Sequence, residues 1–164
     1  DVCSSDLEAQ KDRFMLKISI GWPERDDELA LMERMAQGSS PETVLARGEV
    51  QPVMDGPCVT MLQDALRLVT VRPEIVAYML DVVRATRNSD NILSGAGPRA
   101  AQSLLFSSRA HAAMCGRDFV TPDDVRAMLQ PVLEHRILLR PEAEIEGVTT
   151  GEALAAQSPQ LDPA

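Results

Sequence analysis

Phe14, Leu16, Ile18 and Ile20 alternate with Met15, Lys17 and Ser19, the two-residue period of a strand with one buried face. Gly21-Trp22-Pro23 ends the run, and no second alternating segment follows that could pair with it. Beyond this orphan strand the apolar period lengthens to three and four. The acidic run Glu24 to Glu28 opens a helix predicted to reach about Gln37, with Leu29, Met32 and Met35 or Ala36 on one side and Gly38 as its stop. Residues 39–59 turn to Pro, Gly, Ser and Glu, with one short helix from Pro41 to Ala46 behind Ser40 as its cap. So long a connection is expected to lie over the surface or to carry a function. Met61, Leu62, Ala65 and Leu66 or Val69 set a helix over Thr60 to Val69, which Arg72-Pro73 breaks. Ile75, Met79, Val82 and Val83 then share one stripe of a helix from Pro73 to about Arg87.

Asn88 to Gly97 reads as a polar loop, followed by a long helix from Pro98 to about Cys115. Ala101, Leu104, Leu105, Ala112 and Cys115 face inward in that helix, and Gly116 supplies a left-handed end. Thr121-Pro122-Asp123-Asp124 combines a hydroxyl cap, a first-turn proline and acids suited to the helix dipole. The helix it starts runs to Leu129 or beyond, with Val125, Met128 and Leu129 inward and Pro131 as a bend. After Leu139 the apolar period is lost, so residues 140–164 are assigned to a C-terminal tail. The expected fold class is mainly α: one orphan β-strand followed by a bundle of four or five helices.

Composition narrows the function classes. Aromatic residues make up only 3% of the chain, so its core must be aliphatic, in the manner of helical packing. A net charge of −9 repels nucleic acid and acidic membrane surfaces, no basic run offsets it, and no apolar run is long enough to span a bilayer. Cys3, Cys58 and Cys115 are odd in number and widely spaced, which suits a reducing cytoplasm better than a disulfide framework. The opening Asp1-Val2-Cys3-Ser4-Ser5-Asp6-Leu7 is polar and aperiodic, and it matches an in-frame translation of a common sequencing-library adapter. Native sequence is expected to start near Glu8.

The most informative chemistry lies in Gly95-Ala96-Gly97-Pro98-Arg99-Ala100. Proline at the first helical position needs no N–H partner, and the glycines before it permit a close backbone approach. Arg99 adds a cation to the positive end of a helix dipole, against the local preference, which points to an anionic partner such as phosphate. The plainer alternative is an arginine folded back onto a nearby acid. His111 and Cys115, four apart on one helix, could offer two metal ligands, but a packed cysteine is the default and no metal site is assigned. His135 is read as a helix-end residue, and Ser107-Ser108 have no His and acid at a useful spacing for nucleophilic chemistry.

Five ordered motifs carry a family resemblance: Glu8-Ala9-Gln10-Lys11-Asp12-Arg13-Phe14, Gly21-Trp22-Pro23 with its glutamate-bearing helix, Gly97-Pro98-Arg99-Ala100, Asp118-Phe119-Val120-Thr121-Pro122-Asp123-Asp124-Val125, and Val132-Leu133-Glu134-His135-Arg136-Ile137. Over about Glu8 to Glu146 the chain resembles the C-terminal part of MoxR-type AAA+ ATPases. Lys11 stands where leucine is commoner in that family, and Gly97 where serine often precedes the proline.

The resemblance implies that residues 8–22 are a remnant of an α/β motor domain, ending in its last strand, and that 23–139 form the helical lid. It implies that Arg13 is the arginine finger, reaching in trans the γ-phosphate bound by the neighbouring subunit. Arg99, with Gly97 and Pro98 beside it, is implied to be the sensor 2 arginine touching the γ-phosphate of its own subunit's ATP. Further implications are a homo-oligomeric, hexameric ring, chaperone-like remodelling or maturation of a client protein, and partners carrying von Willebrand factor A domains. No Gly-x-x-x-x-Gly-Lys-Ser/Thr loop or magnesium-binding acidic pair occurs in the sequence. The chain alone is therefore expected to be an inactive fragment, with ATP and Mg2+ held by a missing N-terminal part. The alternative is a stand-alone helical protein-interaction module with no link to nucleotide.

Overall fold

Caps and prolines start the helices close to where the sequence places them. The structure is a computed structural model and describes residues 10–157; residues 1–7 and the last seven positions of the expected tail lie outside the described residues. The chain divides into two compact units, one of residues 19–63 and one comprising the segment up to Ile18 together with residues 64 onward.

The smaller unit carries α1 (Arg25–Ala36), α2 (Pro41–Ala46) and most of α3 (Gly56–Ala65). Ser40 caps α2 through its side chain, which accepts the N–H of Thr43 at 3.3 Å. No residue of 19–63 is buried, so the apolar stripes of α1 and α3 face no core of their own. Met32 and Met61 are both mostly exposed, contrary to the inward placement that their periodicity suggests.

The core belongs to the larger unit. After a 3-10 turn (Leu66–Leu68) come α4 (Pro73–Ala85), β1 (Ile92–Ser94), α5 (Pro98–Met114), α6 (Pro122–Leu133), a second 3-10 turn (Glu134–Arg136) and β2 (Leu138–Leu139). Two short helices, α7 (Pro141–Ile145) and α8 (Thr150–Ala155), follow. α5 packs chiefly on α6 and also on α4. Ile75, Met79, Val82 and Val83 of α4 are buried as one stripe against Leu104, Val125, Leu129, Val132 and Leu133. Burial of a Val or Leu side chain of this kind is worth about 1.5–3 kcal/mol.

Small residues hold the seam of α5, where Ala100, Ser103, Ser107, Ser108 and Ala112 are buried beside Leu104. Cys115, expected inside, is exposed at the end of that helix, and Leu105 is only half-buried. The helix turns out through Gly116 with φ +74°, as its sequence predicts. α6 begins with a full capping box between Thr121 and Asp124.

Two assignments change. Residues 14–20 form no strand, because a strand exists only through a ladder and no described segment pairs with them; Phe14, Ile18 and Ile20 are exposed. Residues 140–157, assigned to a tail, instead fold onto the larger unit through α7 and α8, burying Ala143, Ala153 and Leu154. Three small apolar contacts are too sparse to show as a period, although the Thr149–Glu152 capping box is present in the sequence. β1 and β2 form an antiparallel pair that neither periodicity nor composition suggests.

Candidate functional site

The loop leading into α5 is built so that little in it can move. Thr86, at the C-terminal end of α4, is fully buried; its hydroxyl donates to the Val83 carbonyl at 2.7 Å and accepts the Ala96 N–H at 3.0 Å. Arg87 Nε donates to the Ala96 carbonyl at 2.9 Å. A Cβ on Gly95 would lie 2.7 Å from the Arg87 Cα and N and from the Thr86 C, so this position must be glycine. The close approach that the glycines permit is thus, at Gly95, to the chain's own backbone. Gly97 is different: a Cβ there would meet nothing within 4 Å.

Gly97 is the N-cap of α5 and contributes no side-chain cap, Pro98 follows at the first helical position, and no acid occupies the first turn. The N–H groups there have the polarity that attracts anions. Arg99 stands exposed on this turn, its side chain 58% accessible, with Nη1 3.9 Å from the Asp12 carboxylate. That pair is the fold-back that the sequence leaves open. It is long and solvated, so its own contribution is small.

Beside Arg99 is a cleft of about 270 Å³ lined by Lys11, Asp12, Gly95, Gly97, His135 and Arg136 among others. Asp12 therefore lies between two guanidinium groups, with Arg136 Nε at 3.5 Å on its other oxygen. Arg136 is the cleft residue that sequence reasoning overlooks: it appears only inside a family motif, although an Arg next to a helix-terminating His is a visible signal. Burial pushes its guanidinium below the ordinary value, and the Arg99 charge adds to this while Asp12 opposes it. Arg13 is exposed, with Asp12 and Phe14 on either side of it held to the larger unit. Asp12 thus brings Arg99 to the neighbour of Arg13. Pro98 is exposed outside the cleft lining.

A second polar cluster lies on the far part of α5. Asp124 is fully buried and accepts both Arg117 Nη1 and Nη2 at 2.6 Å, the Thr121 N–H and hydroxyl at 2.8 Å, and faces His111 Nδ1 at 2.7 Å. The Arg117 fork holds the Asp124 carboxyl well below the usual range, with Thr121 and His111 adding and burial opposing. The ligand atoms of His111, Cys115 and Asp124 lie within 4.8 Å of one another. They do not suit a metal, because the Asp124 lone pairs are already occupied and the Arg117 cation shares the space.

The family model for the AAA lid domain matches residues 84–157, which span both of these clusters except Lys11 and Asp12. The chain is 31% identical over 141 residues to the protein YeaC of Bacillus subtilis, covering 86% of this chain and 42% of that protein. It is 32% identical over 148 residues to Chaperone MoxR1 of Mycobacterium tuberculosis, covering 83% of this chain and 36% of the relative. The crystal structure of a protein described as a candidate ATPase from Cytophaga hutchinsonii superposes with a TM-score of 0.75 at 31% identity, over 92% of this chain and 46% of that one. The chain thus spans about two fifths of the length of the curated relatives it matches.

Proposed function

We propose that this chain, which carries the lid region of a MoxR-type AAA+ ATPase, couples hydrolysis of ATP to chaperone-like remodelling or maturation of client proteins in a ring of like subunits. The phosphate-binding loop and the carboxylates for Mg2+ are supplied from outside the sequence described here. ATP so held supplies the terminal phosphoryl group whose transfer to water drives the cycle.

What this chain adds is charge at the lid. Arg99 is the sensor 2 arginine, placed to reach the terminal phosphate of its own subunit's nucleotide, with Gly97 and Pro98 shaping the turn that presents it. Arg13 is the finger directed at the phosphate bound next door. Both functions need a guanidinium that stays charged and donates in pairs to phosphate oxygens, stabilising charge that grows on the transferring group. The observation that carries this reading is the locked loop: Gly95, Thr86 and Arg87 fix the backbone ahead of α5 while leaving Arg99 exposed at a helix start without a side-chain cap. Cytoplasmic location and partners bearing von Willebrand factor A domains belong to the same proposal. The Asp12 contact favours the rival, in which Arg99 is structural and the chain is a helical interaction module.

Arg99→Ala in the full-length ATPase separates the two. The sensor reading expects ATP turnover to fall by on the order of a hundredfold or more with an unchanged circular dichroism spectrum and melting temperature. Near-normal hydrolysis, or a loss that tracks unfolding, would favour the module.

A further inference from the structure

One side chain holds the backbone on both sides of Arg13. Arg136 Nη2 donates to the carbonyl oxygen of Asp12 at 3.1 Å, to that of Phe14, and to the Ser103 hydroxyl at 3.0 Å. His135 Nε2 lies 3.0 Å from the same Phe14 carbonyl. The Arg136 side chain is 1% exposed, yet Nη1 makes no hydrogen bond and Nε has only the long ion-pair contact with the Asp12 carboxylate at 3.5 Å. Burying a cation with part of its donor set unused costs free energy, and an apolar side chain of similar volume would commonly fill such a place at least as well. Stability alone does not account for an arginine here; the direction of its bonds does. Its Nη2 partners are the residues that flank Arg13 and a serine one turn along α5 from Arg99, on the same helix face.

The geometry points to Arg136 as a positioning residue for Arg13: by fixing the carbonyls of Asp12 and Phe14 it sets the direction in which the exposed Arg13 guanidinium leaves the lid, and through Ser103 it ties that direction to the helix bearing Arg99. The inference rests on the proposed finger function of Arg13. A misplacement of about 1 Å at a phosphate-stabilising group costs on the order of a hundredfold in rate, so a residue that never touches nucleotide can govern turnover.

The test is a double-mutant cycle in the full-length ATPase, using Arg13→Ala, Arg136→Gln and the pair, with kcat and KM for ATP measured separately. Arg13→Ala alone tests the finger reading: unchanged turnover overturns that reading and the inference with it. If Arg13→Ala is slow, Arg136→Gln is expected to lower kcat by about tenfold or more with KM within about twofold, and the pair to be no slower than Arg13→Ala. Losses that multiply in the pair, or a change confined to KM, overturn the positioning function and leave the finger reading standing. Should Arg136→Gln fail to fold, Arg136→Lys keeps the buried charge but cannot span the carbonyls of Asp12 and Phe14 and the Ser103 hydroxyl together. The same failure to add to Arg13→Ala is expected of it, and multiplicative losses overturn the inference equally.

Discussion

Asp124 shows how much a single side chain can organise. It closes the capping box of α6, receives the Arg117 fork and meets His111, joining the start of α6 to the end of α5. Because its folded pKa is lower than the unfolded carboxylate value of about 3.9, the stability it contributes is fully present above that value and is lost as pH falls below it. Asp124→Asn, which leaves Arg117 without its partner, is expected to cost about 3–5 kcal/mol at neutral pH and somewhat less at pH 3, which lies below the unfolded carboxylate value but above the folded one. Urea denaturation at the two pH values checks this, and a gap independent of pH would contradict it. The sequence exposes the cap, since Thr-Pro-Asp-Asp is a local signal. It does not expose the Arg117 and His111 contacts, which depend on how two helices meet. The same limit explains Arg136, whose partners lie more than 30 and more than 120 residues away.

At the scale of elements, legibility follows locality. α2, α4, α5 and α6 begin where a cap or a proline predicts, and the stripe of α4 is buried residue for residue. Residues 14–20 alternate correctly for a strand but lack a partner edge, and no local pattern can provide one. α7 and α8 escape because their buried residues are few and mostly alanine. The loop before α5 yields a contrast between two glycines. Gly95→Ala must displace the backbone of Thr86 and Arg87 and is expected to cost about 1–3 kcal/mol, whereas Gly97→Ala meets open space at a φ of −80° and is expected to cost little. Thermal melts of the two variants test the difference. Under the sensor reading Gly95→Ala should also slow turnover of the full-length ATPase, since it moves the turn that presents Arg99; equal melting temperatures would show that the loop is looser than its contacts imply.

Across the whole chain, apolar surface is unevenly spent. The core of the larger unit is closed, while Ile18, Ile20, Trp22, Met32, Met61 and Val53 are exposed. Exposed apolar side chains gathered in this way favour association. This chain produced alone is expected to self-associate as its concentration rises, and Ile18→Lys with Ile20→Lys to reduce that association. Sedimentation velocity over a concentration series is the measurement, and a monomer throughout would refute it. Among the described residues no helix is long and apolar enough to cross a membrane. The grip on residues 12–17 has a separate consequence. It runs through main-chain atoms, the carbonyls of Asp12 and Phe14 and the N–H of Lys17 on the Pro131 carbonyl at 2.8 Å. The side-chain holds fall on Asp12 and Lys17, so replacing Phe14 or Leu16 to suit whatever surface they meet leaves the anchors beneath them in place.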